Sequence, residues 1–190
     1  LIVLLPKPTG GTRPIGLFPG SIRLFTRAAR SIYGGRWLAR RQVQRSFFFG
    51  TRGQSVQQCV WTRGVVAEDA SNRGQAVGVF MLDVPKAYEY MRYDVLQTKA
   101  QALGFNGLLL RLLLVLYAGA RHLIVDGVAA ESCTAWRAVV PGCPFADLCM
   151  RIYLTDIVDD SIERWPSAKI AVVVDDVQGI ASGRPRDVAG

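Results

Sequence analysis

The sequence predicts an α+β domain in which a mainly antiparallel sheet is covered by helices on one side. Three observations carry that expectation. Half of the residues are apolar and a fifth are charged, the balance of a globular chain. Short apolar runs bounded by turn residues, at 76–84 and 168–174, read as buried strands. From residue 76 the order runs strand, helix, helix, hairpin, helix, strand-turn-strand, an interleaving of both element types.

Each element has its local reason. PKPTGGTRPIG, residues 6–16, holds three prolines and three glycines, so it forms a turn between two extended stretches. Residues 20–44 carry a helical pattern, with Ser21 as a cap and Gly34-Gly35 as a break. Residues 47–55 form a glycine-punctuated loop, 57–70 a helix, and SNRGQ a turn. AVGVFMLDV, 76–84, is a buried strand. YDVLQTKAQALGF is an amphipathic helix ending at Gly104, and GLLLRLLLVLYAG is a second helix buried on most faces. Residues 122–140 read as a hairpin turning near Asp126-Gly127. Residues 147–165 are helical, and AKIAVVVDDVQGIASG is a strand, a tight acidic turn and a returning strand.

The bulk numbers narrow the function. The most apolar run, residues 108–119, is shorter than the roughly 20 residues a membrane span needs and is interrupted by Arg111. Pro6 and Lys7 stop LIVLL, so it is no signal peptide as it stands. The chain starts at Leu1 and is read as a fragment of something longer. Cys59, Cys133, Cys143 and Cys149 have no CxxC spacing and His122 alone could join them, which favours a reduced, intracellular protein over a metal finger or disulfide scaffold. Nothing chooses between nucleus and cytoplasm.

Charge is informative when split. Residues 1–67 hold eleven Lys or Arg and no acid, whereas 68–190 hold twelve basic and fifteen acidic side chains. A half-chain at +11 points to a polyanion partner, nucleic acid or nucleotide phosphates. Composition alone weighs a solvated basic face equally.

Two strands end in acid, at Asp83 and at Asp175-Asp176. Neighbouring aspartates at a turn diverge, but brought beside Asp83 one or both could share Mg²⁺, which takes carboxylate oxygens and removes their repulsion. Their bland role is as turn residues. A second pair, Asp159-Asp160, lies in helical sequence and is expected to face solvent as a structural feature.

These pieces bear a resemblance. FMLDVPKAYEYM resembles the first catalytic motif of reverse transcriptases, and VVVDDV resembles their strand-Asp-Asp turn. VVPGCPFAD is similar to the Pro-Gln-Gly-x-Pro-x-Ser segment between them, LLPKPTGGTRPIGLFPGSIRLFTR to the basic fingers segment, and FGTRGQS to the glycine-rich stretch before the palm. Five motifs in family order cover nearly the whole chain. The resemblance implies a polymerase palm with a partial fingers segment and no thumb. Residues 1–75 would be fingers-like and 76–190 palm-like, in one reverse transcriptase domain of a retroelement, non-LTR-like parent with further domains.

It also implies roles. Asp83 and Asp175 would be the principal ligands of two Mg²⁺ ions, for which Mn²⁺ can substitute, with Asp176 beside them and the Val84 carbonyl as a backbone ligand. The substrates would be an RNA template, a DNA primer and dNTPs, and no membrane is involved. Lys7 and Arg13 would reach the triphosphate, and Tyr88 would pack on the sugar and reject a ribose hydroxyl by a clash; core filling is its plain alternative. Gly142 and Pro144 would let the backbone approach template and nucleotide. Arg23, Arg27 and Arg30, at helical spacing, face template phosphate or solvent. Lys86 would be structural or near the backbone rather than catalytic.

The chain departs from the pattern at Pro141, Ala146, Val174 and Glu89. The alternative reading is therefore a catalytically decayed reverse-transcriptase-like module that binds RNA without turnover. A third, a generic α+β protein with accidental motifs, requires Asp83 to lie far from Asp175. Primer grip and thumb would lie beyond Gly190, so the isolated chain is expected to extend primers poorly.

Overall fold

A computed structural model describes the chain apart from residues 7, 9, 41, 42, 52, 126, 185–187, 189 and 190, and apart from the side chain of Arg13. Its contacts separate two units interleaved in sequence. One is Leu1–Gln44 with Lys86–Tyr153, the other Arg45–Pro85 with Leu154–Gly190. In each unit, strands far apart in sequence share one sheet.

The first unit opens with a hairpin of β1 (Ile2–Pro6) and β2 (Thr12–Gly16), in register from Ile2↔Gly16 to Pro6↔Thr12. Gly10 and Gly11 turn it at φ of 88° and 79°, a backbone region that side chains with a Cβ avoid. A helix follows as α1 (Gly20–Ala29), a π turn over Arg30–Gly34, and α2 (Gly35–Leu38). The expected break at Gly34-Gly35 is thus a π turn inside a continuing helix. Gly34 serves close packing instead: a Cβ there would stand 2.9 Å from Leu148 Cδ1.

In the second unit, α3 (Val56–Asn72) begins with a capping box in which the Ser55 hydroxyl accepts from Gln58 N–H while the Gln58 side chain accepts from Ser55 N–H. Its sheet comprises β3 (Phe48–Phe49), β4 (Ala76–Asp83), and two later strands, β7 (Ala168–Val173) and β8 (Asp176–Gly183), in the order β3-β7-β8-β4. Phe47, Phe48, Val158 and Val172 form its core, with Ile162, Ile170 and Val177 packed on them.

The first unit resumes with α4 (Ala87–Tyr90), α5 (Tyr93–Ala102) and α6 (Gly107–Ala118). Gly104 stops α5 at φ 63°, and the Asn106 side chain caps α6 by accepting from Leu109 N–H at 2.9 Å. The short strands β5 (Leu123–Val125) and β6 (Val128–Ala129) complete a sheet ordered β2-β1-β5-β6, with β1 and β5 parallel. They flank Asp126, which lies outside the described residues, and Gly127. Helix α7 (Ala146–Arg164) is the last helix described. Trp37, Phe105 and Phe145 pack edge to face, with centroids 5.3 and 6.5 Å apart, and the Trp37 indole N–H donates to the Leu103 carbonyl at 3.0 Å.

The α+β class holds, and each sheet is mainly antiparallel with one parallel pair, β1 with β5 and β3 with β7. One difference lies in the burial of a strand. The β4 strand, expected to be buried, is largely exposed, with Met81 at 70% and Leu82 at 56%. It ends the strand order, so among the described strands only β8 flanks it. Helix α6 differs likewise: Leu109, Leu110, Leu113 and Tyr117 are buried, while Leu108, Leu112 and Val115 face outward. Both runs are apolar on two sides, and periodicity alone does not say which side is covered.

Replacing Phe145 by Ala is expected to cost about 3–5 kcal/mol, because a fully buried ring leaves a cavity. Leu112→Ala, on the open side of α6, is expected to change stability by less than about 0.5 kcal/mol. Denaturant unfolding of both variants checks the assignment of faces.

Candidate active site carboxylates

The acidic site is built by register. β4 and β8 pair antiparallel over eight positions, from Ala76↔Gly183 to Asp83↔Asp176, so the last residue of one strand stands directly opposite the first of the other. β7 and β8 pair up to Val173↔Asp176, which leaves Val174 and Asp175 as a two-residue loop. Three aspartates therefore meet at one end of one sheet, all in the second unit. Asp83 thus lies on the strand next to the Asp-Asp turn, not far from Asp175 as the reading with accidental motifs requires. The register puts Asp176 opposite Asp83, and Asp175 in the turn beside it.

Like charges held this way should resist ionisation. Partial desolvation, then the charges of Asp175 and Asp83, push the Asp176 carboxyl above its ordinary value. Among the described residues, no hydrogen bond or ion pair neutralises any of the three. The turn itself is strained: Val174 has φ 61°, a region costly for a β-branched residue.

The other aspartate pair behaves differently. Asp159 receives Arg45 in a bidentate pair, Nε at 2.8 and 2.9 Å and Nη2 at 2.8 Å, whereas Asp160 is exposed. Asp159 is thus structural as expected, but half-buried and paired rather than solvent-facing, because the segment entering β3 brings Arg45 to α7. The hydrogen bond to Asp159 raises the Arg45 pKa further.

The donor chemistry of the acidic site suits a hard divalent cation. Asp83 and Asp176 are exposed oxygen donors without a counter-charge. Mg²⁺ is usually held by one or two carboxylates, its shell completed by water and substrate phosphate. Among the described residues no group of three or more His, Cys, Asp or Glu side chains is placed to hold a metal ion by itself. The arrangement is therefore open, lacking the cage of a structural metal site.

A polar chain that sequence reasoning missed lies on the same sheet. Arg63 donates from Nη1 to Gln178 Oε1 at 2.7 Å, and Gln178 donates from Nε2 to the buried Cys59 Sγ at 2.7 Å. Gln178 is two residues past Asp176 and so shares its face of the strand. Period two was the signal that could have found it. The three line a cavity of about 300 Å³ whose other walls include Phe47, Phe49 and Ile180.

The remaining predicted residues belong to the first unit. Lys7 lies outside the described residues; Arg13 is placed by its backbone only, opposite Leu5 in the β1–β2 hairpin. Tyr88 is half-buried in α4, and its carbonyl accepts from Val139 N–H at 2.9 Å. Gly142 sits at φ 94°, where a Cβ would come within 3.3 Å of the Gly16 carbonyl oxygen. Pro141 uses its carbonyl to accept from Gly16 N–H at 3.1 Å. Arg23 and Arg27 are exposed on α1. Arg30 is turned inward: it donates to the Pro144 carbonyl at 3.1 Å and pairs with Asp147 at 2.8 Å. Val84, just after β4, is exposed.

Telomerase from Candida tropicalis, in an apo form truncated from its C-terminal domain, matches 99% of this chain over 44% of its own, with a TM-score of 0.67 and 10% identity. The fold is telomerase-like. The same organism's telomerase in complex with the TWJ fragment of telomeric RNA matches 97% of this chain over 36% of its own, again at 0.67 and 10%. The Candida albicans complex with that RNA matches 95% over 37%, at 0.53 and 10%. The chain thus spans about two fifths of the length of the telomerases it matches. No family model and no curated protein matches the sequence. At this identity the shared property is the fold, a partial polymerase-like α+β arrangement.

Two predictions follow from the turn. A carboxyl raised in the folded state binds its proton more tightly there, so stability falls as pH rises from the ordinary carboxylate value through the folded one and stays lower above it. Asp176→Asn is therefore expected to melt about a degree higher than the parent near pH 7, in chelator, with the difference gone below the ordinary carboxylate value. Val174→Gly is expected to stabilise by about 1 kcal/mol, by relieving the positive-φ strain, as read by denaturant unfolding.

Proposed function

We propose that this chain is the fingers-and-palm part of an RNA-directed DNA polymerase, transferring nucleotides from dNTPs to a primer 3′-hydroxyl. The observation that carries the proposal is the Asp83↔Asp176 register with Asp175 in the adjoining turn, on a fold shared with telomerase. The telomeric RNA fragment held by the matched Candida complexes supports RNA as a partner.

In this reading Asp83, Asp175 and Asp176, with the Val84 carbonyl, would hold Mg²⁺. When bound, the metal would lower the pKa of the attacking hydroxyl and offset the triphosphate charge. The protein's part is positioning. The unpaired carboxylates supply negative charge at a fixed strand end, where a polyphosphate alone would be repelled. Arg13 and Lys7 would supply cations for the phosphates, since an arginine's planar fork can pair two oxygens. Tyr88 would set sugar selectivity by packing, while Gly142 and Pro144 would keep the backbone close to the template base. Arg23 and Arg27 would contact template phosphates, with Arg30 acting instead through its bonds to Pro144 and Asp147.

One observation favours the second reading, an RNA-binding module that has lost turnover: among the described residues no group of three or more carboxylates is placed to hold a metal ion by itself. Titration with Mn²⁺ followed by primer extension separates the two. The polymerase reading expects Mn²⁺ to bind at millimolar concentration or below, and Asp83→Asn to abolish that binding. It also expects Asp83→Asn to lower extension by at least about a hundredfold in the full-length parent. RNA binding that survives with neither metal uptake nor extension would establish the decayed module.

A further inference from the structure

Outside the acidic site, the first unit carries an aromatic and cationic cluster. We propose that Tyr90, Trp136 and Arg137 form a stacking platform for an unpaired nucleobase of a single-stranded nucleic acid. The Arg137 guanidinium lies over the Tyr90 ring, 4.7 Å from its centroid, and over the Trp136 ring at 4.6 Å. Trp136 is nonetheless 70% exposed and Tyr90 54% exposed. Two exposed rings bracketing one guanidinium present an amphipathic π surface that a ligand can cover.

The cluster is held in place by the backbone. Arg92 and Arg137 form an antiparallel bridge, Ala138 N–H donates to the Met91 carbonyl at 3.0 Å, and Val139 N–H donates to that of Tyr88 at 2.9 Å. Beneath it the Tyr93 hydroxyl donates to the Arg137 and Ala138 carbonyls at 3.2 and 3.0 Å, and Arg121 Nη2 donates to Ala138 at 3.0 Å. These bonds keep Ala138 at φ 89°, an unfavourable conformation for a residue with a Cβ. The strained turn fixes the direction in which Trp136 and Arg137 leave the chain.

The chemistry fits a base better than another ligand. Every nucleobase has a π face, and aromatic rings stack on it without regard to sequence, aided by arginine. None of the ion pairs among the described residues includes Arg137, so its charge is available to the phosphate beside a stacked base. Its neighbour Arg92 is paired with Asp94.

The proposal deepens the polymerase reading by naming a subsite for a single strand, yet its test reads binding and needs no turnover. Fluorescence anisotropy of labelled oligo-U and oligo-dT of equal length would be compared for the chain, Trp136→Ala and Trp136→Phe. Trp136→Ala is expected to bind about tenfold more weakly. Its salt slope should stay unchanged, since no charge is removed. Trp136→Phe should keep most of the affinity, and the parent's tryptophan fluorescence should be quenched more strongly by either oligonucleotide than that of Trp136→Phe. A loss with both oligonucleotides shows that the base itself is read; a loss with one identifies the strand the platform serves. Unchanged affinity in Trp136→Ala overturns the proposal. So does a Trp136→Phe variant that loses as much affinity as Trp136→Ala and melts lower, which marks a structural ring. Because metal uptake and extension are measured separately, an active polymerase with an indifferent Trp136 rejects the platform alone.

Discussion

The acidic site rests on a single constraint, the register between β4 and β8. Side chains on a strand alternate faces, so a slip of one residue would turn Asp83 and Asp176 away from each other and move every apolar partner to the wrong side. Gly179 guards against that slip. It stands opposite Phe80 in the ladder, and a Cβ there would lie 2.2 Å from a Phe80 ring carbon. The phenyl ring can therefore lie over its cross-strand neighbour only where that neighbour is glycine. Moving β8 by one position would put Gln178 or Ile180 under the ring. Packing in mid-sheet thereby fixes charges at the sheet's end.

The two aspartate pairs show what a neighbour decides. Asp159 meets the fork of Arg45 and becomes a brace between the segment before β3 and the C-terminal half of α7. Asp175 and Asp176 meet Asp83 and nothing of opposite sign. A fold tolerates such repulsion where water can screen it, and the exposed end of β4 provides that. The same exposure leaves the oxygens open to a cation, so the feature that weakens the turn also makes it receptive. The strain at Val174 lies in this same two-residue loop, where local backbone cost often accompanies a functional turn.

Much of this was legible in the sequence, and the reasons for the remainder are physical. Strands at 76–83 and 168–173 and the acidic turn follow from short apolar runs bounded by turn residues, and the +11 charge of residues 1–67 is a matter of counting. What the sequence hid depends on long-range neighbours. Nothing local says that β4 ends its sheet, so AVGVFMLDV reads as buried though Met81 is exposed. Nothing local tells that Gly34 faces Leu148, so a packing glycine reads as a break. Strand period places Gln178 on the face of Asp176, but its links to Arg63 and Cys59 join residues 115 and 119 positions apart, which no periodicity reaches.

The first unit shows how one strained residue can be held by several ordinary bonds. Ala138 would relax to a commoner conformation if it were free. Its carbonyl accepts from both Tyr93 and Arg121, its N–H is bound by Met91, and Arg121 is itself anchored to the Tyr117 carbonyl at 2.6 Å. Tyr117 in turn is fully buried and donates to Cys143 Sγ at 3.1 Å, which ties the turn to the helical core. Each bond contributes about 1 kcal/mol net, so together they exceed the roughly 1–2 kcal/mol that a positive φ costs. The surplus is what lets the core dictate the orientation of Trp136 and Arg137 at the surface. A side chain so directed keeps its conformation before any ligand arrives, and less entropy is then lost when one does.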